Sequence, residues 1–122
     1  MADAPEARIA TGSVYEPPAE AYPRLLVMRR WPRGIPKGAV DQWEPDLGPS
    51  AALLKAYQAG EVPWDEFTER YRAEVLGRPN LLDWAARMAT GTGVTLLCGS
   101  HPEEECHRSL LAALLRERLG AA

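Results

Sequence analysis

Apolar positions change their period along this chain, and the changes mark the elements. Leu25 to Met28 and Val94 to Cys98 are short, nearly unbroken apolar runs, each close to a glycine or proline. Such runs suit strands covered on both faces. Between Ser50 and Thr90 the apolar residues instead fall three or four apart, the spacing of one helix face.

Taken in order, residues 1–7 read as a frayed tail. Arg8 to Tyr15 forms a first strand, which Gly12 weakens, and Glu16 to Pro23 is a loop with two adjacent prolines. Arg24 to Arg30 is the second and stronger strand. Trp31 to Pro49 is a long irregular connection containing Pro32, Pro36, Pro45 and Pro49. Trp31 and Trp43 argue that it is ordered, because large apolar rings gain by burial.

Ser50 is a good N-cap for a helix through Ala59, which Gly60 stops. Pro63 introduces a helix to about Leu76, with Trp64, Phe67, Tyr71 and Val75 on one face and Gly77 at its end. Asn80 caps a third helix, with Leu81, Trp84, Ala85 and Met88 forming a stripe. Gly91 and Gly93 lead into the Val94–Cys98 strand. Ser100 to Glu103 then reads S-x-x-E, a helix-start signal with proline in the first turn. Leu110, Leu111, Leu114, Leu115 and Leu119 supply the apolar face of the last helix.

Strands separated by helices predict one α/β layered domain over 1–122 with a small, mainly parallel sheet. Ligands in such sheets sit beyond the carboxyl ends of the strands. The second strand runs into Arg29-Arg30-Trp31-Pro32-Arg33-Gly34, and the last into Cys98-Gly99-Ser100. Parallel strands would bring the basic loop and the cysteine turn to one edge.

Composition narrows the picture. A length of 122 residues suits one modest core, and the net charge of −3 argues against a general nucleic-acid binder. No apolar run approaches the roughly 20 residues of a membrane span. The first residues carry no apolar leader, which makes a cytoplasmic home the default. Two cysteines in that setting suggest chemistry or core filling before a structural disulfide.

The reactive side chains cluster. Both cysteines and both histidines lie between Val94 and Leu115, as Cys98, His101, Cys106 and His107, with Arg108 next. Cys98 at a buried strand end is most simply a small hydrophobe. A nearby helix N-terminus and cations would instead favour its thiolate and make it a nucleophile. Cys106 shares a helix face with Leu110 and Leu114, which favours packing. His107 suits general acid–base work, or a pairing with Glu103 one turn earlier. Arg108 opposes the helix dipole, so it needs a specific partner, either an anion or a carboxylate such as Glu74.

A zinc reading has the right number of N/S ligands but not a compact C-x2-C or H-x3-H spacing. Adjacent Cys106 and His107 would diverge by about 100° on a helix, so no metal is expected. A Cys98–Cys106 disulfide requires a turn that brings the Cα atoms within about 7 Å. Arg24, Arg29, Arg30, Arg33 and Lys37 place five cations in fourteen residues of an acidic chain. Arg29 and Arg33 are the best anion ligands among them, with Lys37 alongside, although surface pairing with carboxylates is the plainer use.

Four motifs in order, L-V-M-R-R-W-P-R-G-I-P-K, W-x5-P-S at Trp43 to Ser50, W-D-E-F-T-E-R-Y-R-A-E-V, and L-L-C followed by C-H-R, resemble the bacterial domain-of-unknown-function family 488 in its YeaO-like branch. The resemblance covers Arg24 to Leu115. It implies a Rossmann-like α/β domain and brings no settled activity. Met28 stands where many relatives carry an acidic residue, so no carboxylate is implied there.

The expected function is binding of a phosphate- or nucleotide-like anion in a basic Cys/His cleft. Arg29, Arg33, Lys37 and Arg108 would hold the ligand, with Cys98 and His107 as candidate catalytic groups. The alternative is a non-catalytic module that uses the same loop to contact a protein or nucleic acid. No cofactor or oligomeric state is assigned.

Overall fold

The structure is a computed structural model, and it describes residues 8–15, 22–99 and 106–120. Among the described residues, four parallel strands lie in the order β1-β4-β2-β3: β1 Ile9–Ser13, β2 Arg24–Leu26, β3 Gln42–Trp43 and β4 Val94–Cys98. Helices α1 Ala51–Gln58, α2 Trp64–Leu76 and α3 Pro79–Thr90 fill the β3–β4 crossover, and α4 His107–Gly120 follows β4. The arrangement is the expected α/β fold with a small parallel sheet.

β4 is the axis of the sheet. It pairs with β1 from Ile9↔Val94 to Ser13↔Cys98, and with β2 from Arg24↔Thr95 to Leu26↔Leu97. All five of its residues are buried, as the unbroken apolar run requires. The pleat sorts its neighbours into two clusters. Leu25, Val94 and Leu96 join the large core with the helices, while Leu26 and Leu97 join Val14 in a smaller cluster. Met28, Trp31, Ile35 and Val40 pack against that second cluster. Helices therefore cover one face of the sheet, and the proline-rich connection covers the other.

That connection differs from its sequence reading. It holds a two-residue strand, β3, and two 3-10 turns at Lys37–Ala39 and Pro45–Leu47. β2 stops at Leu26, short of the expected Arg30, although Val27 N–H still donates to Leu97 O. Burial does not order both indoles. Trp43 is 42% exposed, and its ring meets Trp31 edge-on at 5.4 Å. Both indole N–H groups are instead committed to backbone, Trp31 to Ile35 O and Trp43 to Met28 O, each at 2.7 Å. These bonds fix the loop that leaves β2.

The helix starts follow local chemistry. Ser50 caps α1 by accepting from Leu53 N–H, and Glu74 reaches back from α2 to take Ser50 N–H and Oγ–H. α3 starts at Pro79 after Arg78, so Asn80 lies inside its first turn and is not the cap. Its buried face is also rotated from the expected stripe. Leu82, Ala85, Ala86 and Ala89 face inward, with Leu81, Trp84 and Met88 on the flanks. Small alanines let the helix approach closely, and the larger residues seal the edges. On α2, Phe67, Tyr71 and Val75 are buried and Trp64 is half-buried. The proposed cap at Ser100 to Glu103, His101, and the tail 1–7 lie outside the described residues.

Candidate functional site

The carboxyl ends of β2 and β4 open on the same edge of the sheet. There the Met28–Arg30 turn, helix α1, Gly99 and His107 line a pocket of about 630 Å³. Its polar lining is Arg29, Arg30, Lys55, Gln58 and His107, with Met28, Pro49, Ala51, Ala52 and Leu54 as the apolar wall. No carboxylate lines it among the described residues. Arg29 and His107 are thus brought together, as the parallel topology implies.

The cations divide into organising and exposed groups. Arg29 spends its guanidinium on the chain: NH1 donates to Asp46 Oδ1 at 2.7 Å, NH2 to Gly48 O and Nε to Pro49 O, both at 3.3 Å. Arg29 therefore pins the segment that delivers α1 to the pocket wall. Gly48 fits beneath this clamp because a Cβ there would lie 2.8 Å from Arg29 N and 3.0 Å from Met28 C. Arg30 is exposed. Arg33 and Lys37 are exposed as well and do not line the pocket, and Arg33 O accepts from Tyr15 Oη–H. Of the other pocket cations, Arg30 belongs to the five-cation cluster of the sequence but is not among its chosen ligands, and Lys55 lies outside that cluster. Lys55 lies one turn into α1, and only the crossover brings that turn beside the β2 exit.

Below the pocket is a denser group. Cys98, at the end of β4, and Cys106, just before α4, are both buried and are joined as a disulfide with their Cα atoms 7.8 Å apart. That separation is wider than the roughly 7 Å within which such a bridge is expected. Arg108 is only 5% exposed, and its NH1 donates to Cys98 Sγ and to Gly99 O, each at 3.2 Å. The cation thus stands against the sulfur, while Glu74, the carboxylate suggested for it, holds Ser50.

His107 is 9% exposed, with Nε2 lying 2.5 Å from Val27 O. A carbonyl only accepts, so Nε2 carries the proton, and in the neutral ring the lone pair is on Nδ1. The ring also meets Tyr71 edge-on at 5.6 Å. Tyr71 is fully buried, its Oη–H donates to Leu47 O at 2.6 Å, and burial raises its pKa. Tyr71 therefore stays a neutral donor that supports the His107 ring.

A ligand atom from each of Cys98, Cys106 and His107 lies within 4.8 Å of the others. The objection drawn from a 100° divergence assumed that Cys106 is helical. The helix starts at His107, so Cys106 can turn towards Cys98 while His107 faces the same centre.

A family model described as the active DUF488-N3 subclade matches residues 9–119. The uncharacterized protein YeaO of Escherichia coli is 36% identical over 107 residues, covering 84% of this chain and 92% of that protein. Uncharacterized proteins of Mycobacterium bovis and Mycobacterium tuberculosis are 34% identical over 118 residues, 93% of this chain and 98% of theirs. No solved structure shows a significant match. Among the described residues, no helix is long and apolar enough to cross a membrane.

Proposed function

We propose that this chain, which belongs to the DUF488 family in its DUF488-N3 subclade, binds a small phosphate- or nucleotide-like anion in the pocket at the carboxyl ends of β2 and β4. One observation carries the reading. Arg30 and Lys55, from separate elements, both line a pocket that Gly99 and His107 also line and that has no acidic lining among the described residues, in a chain of net charge −3. The first turn of α1 supports it, since Ala51 and Ala52 at the positive end of that helix also line the space.

A concave space of this size fits a metabolite better than the flat contact of a protein or nucleic-acid partner. Arg30 and Lys55 are the direct ligands in this reading. Arg29 shapes the wall and Arg108 holds the floor, while Arg33 and Lys37 remain candidates for an extended ligand only. Cys98 and His107 extend the reading to catalysis. With the pair reduced, Cys98 beside Arg108 is the nucleophile and His107 the proton carrier. The description of the matched subclade as active is in keeping with that extension.

A thermal-shift screen of phosphorylated metabolites tests the binding claim. A ligand at 100 times its Kd should stabilise the fold by about 2.7 kcal/mol. Arg30→Ala and Lys55→Ala should reduce that shift while leaving the unliganded Tm nearly unchanged. Equal shifts in wild type and both variants would refute the assignment of the pocket.

A further inference from the structure

We propose that the reduced protein carries a site for one zinc-class divalent ion, held by Cys98 Sγ, Cys106 Sγ and a ring nitrogen of His107, and that the Cys98–Cys106 disulfide is the closed form of this site. The three ligand atoms are already gathered within 4.8 Å of one another, the scale of a single ion's coordination sphere. Two thiolates and one imidazole are the donor set of a borderline-soft ion. Three protein ligands are also the number found in zinc sites that keep a fourth position open.

The surroundings support the ligands as well as the ion. Nε2 of His107 donates to the Val27 carbonyl, the kind of outer bond that commonly orients a metal-binding histidine. Arg108 NH1 at 3.2 Å from Cys98 Sγ favours the thiolate over the thiol. Charges also balance, because two thiolates neutralise a divalent ion. The Cα separation of 7.8 Å lies outside the 4.4–6.8 Å usual for disulfides, whereas two cysteines sharing an ion need no direct bond. Gly99 and His107 also line the pocket above, which gives solvent a route to the fourth position.

The interconversion balances. A dithiol reductant cleaves the Cys98–Cys106 bond, yields two protein thiols and closes to its own disulfide. The ion then binds with release of two protons. A peroxide reverses the change, since two electrons leave the paired thiolates, the S–S bond forms, and the peroxide takes two protons to become two waters as the ion departs.

Cobalt(II) added to the reduced chain is the direct probe. One equivalent should produce thiolate-to-cobalt charge-transfer absorption that zinc displaces and hydrogen peroxide abolishes. The oxidised protein, and the Cys98→Ser and Cys106→Ser variants, should lose that absorption. Thiol counting on the wild type gives a readout that does not depend on how the variants fold, since one equivalent of zinc should protect both cysteines from a disulfide reagent. Two fully reactive thiols in the presence of zinc would overturn the site. So would an equal cobalt spectrum from the oxidised protein.

Discussion

Arg108 donates to the sulfur of Cys98 at 3.2 Å, across the connection from the end of β4 to the start of α4. Both partners are buried, so little solvent screens the contact. The same arginine holds Gly99 O, which fixes the edge of the pocket and the environment of the sulfur together.

Cys98 should therefore be the more reactive thiol of the reduced, metal-free protein. With a chelator present, iodoacetamide at neutral pH should modify Cys98 faster than Cys106, as resolved by peptide mass. Arg108→Gln should slow the labelling of Cys98. Equal rates for the two cysteines from pH 6 to 9 would show that burial outweighs the guanidinium.

Arg29 and Arg30 are adjacent but should respond oppositely. Arg29→Ala removes three hydrogen bonds to the Asp46–Pro49 segment and should cost about 1–3 kcal/mol in denaturant unfolding. Arg30 is exposed, so Arg30→Ala should change stability by no more than about 0.5 kcal/mol and act on anion affinity instead. Gly48→Ala should resemble the Arg29 variant at about 1–3 kcal/mol, because the new methyl meets backbone that cannot swing aside.

Tyr71 makes stability fall at alkaline pH. Burial raises its pKa above the ordinary value near 10, so the neutral phenol is favoured in the folded state. The unfolded chain ionises first. The stabilisation is complete below pH 10 and is lost above it, by up to about 1.4 kcal/mol per pH unit. Tyr71→Phe should remove that slope while costing about 1–3 kcal/mol at neutral pH, because Leu47 O loses its donor. Equal slopes in the two proteins would contradict this role.

Phe67 is 2% exposed and stacks between Trp64 at 5.2 Å and Tyr71 at 6.2 Å. Phe67→Ala should cost about 3–5 kcal/mol. A loss below about 1 kcal/mol would mean that this face of α2 is not core.

Elements with a strong period were legible in advance, and those made by distant contacts were not. The buried run of β4, the serine cap of α1 and the aromatic face of α2 are local signals, and each appears where expected. β3 is two residues long and exists because its backbone pairs with β2, which no local pattern announces. The site divides in the same way. Parallel strand ends implied that Arg29 and His107 would meet. The recruitment of Lys55 depends on how the β3–β4 crossover packs, and Arg33 and Lys37 point elsewhere because the indole bonds of Trp31 and Trp43 set the path of the loop. The turning of Cys106 towards Cys98 depends on where α4 begins, a boundary that patterns locate only within a few residues.

The most direct measurement is a phosphate titration followed by amide NMR of the isotopically labelled protein. Shifts are expected at Arg29, Arg30, Ala51, Ala52 and Gly99, saturating together and absent in the Arg30→Ala, Lys55→Ala double variant. The shallow groove around Arg72, Glu117 and Arg118 is the internal comparison, because its arginines are already paired with Glu117 and Asp83. Shifts centred on that groove, or none at the β2–β4 edge, would contradict the assignment of the anion pocket.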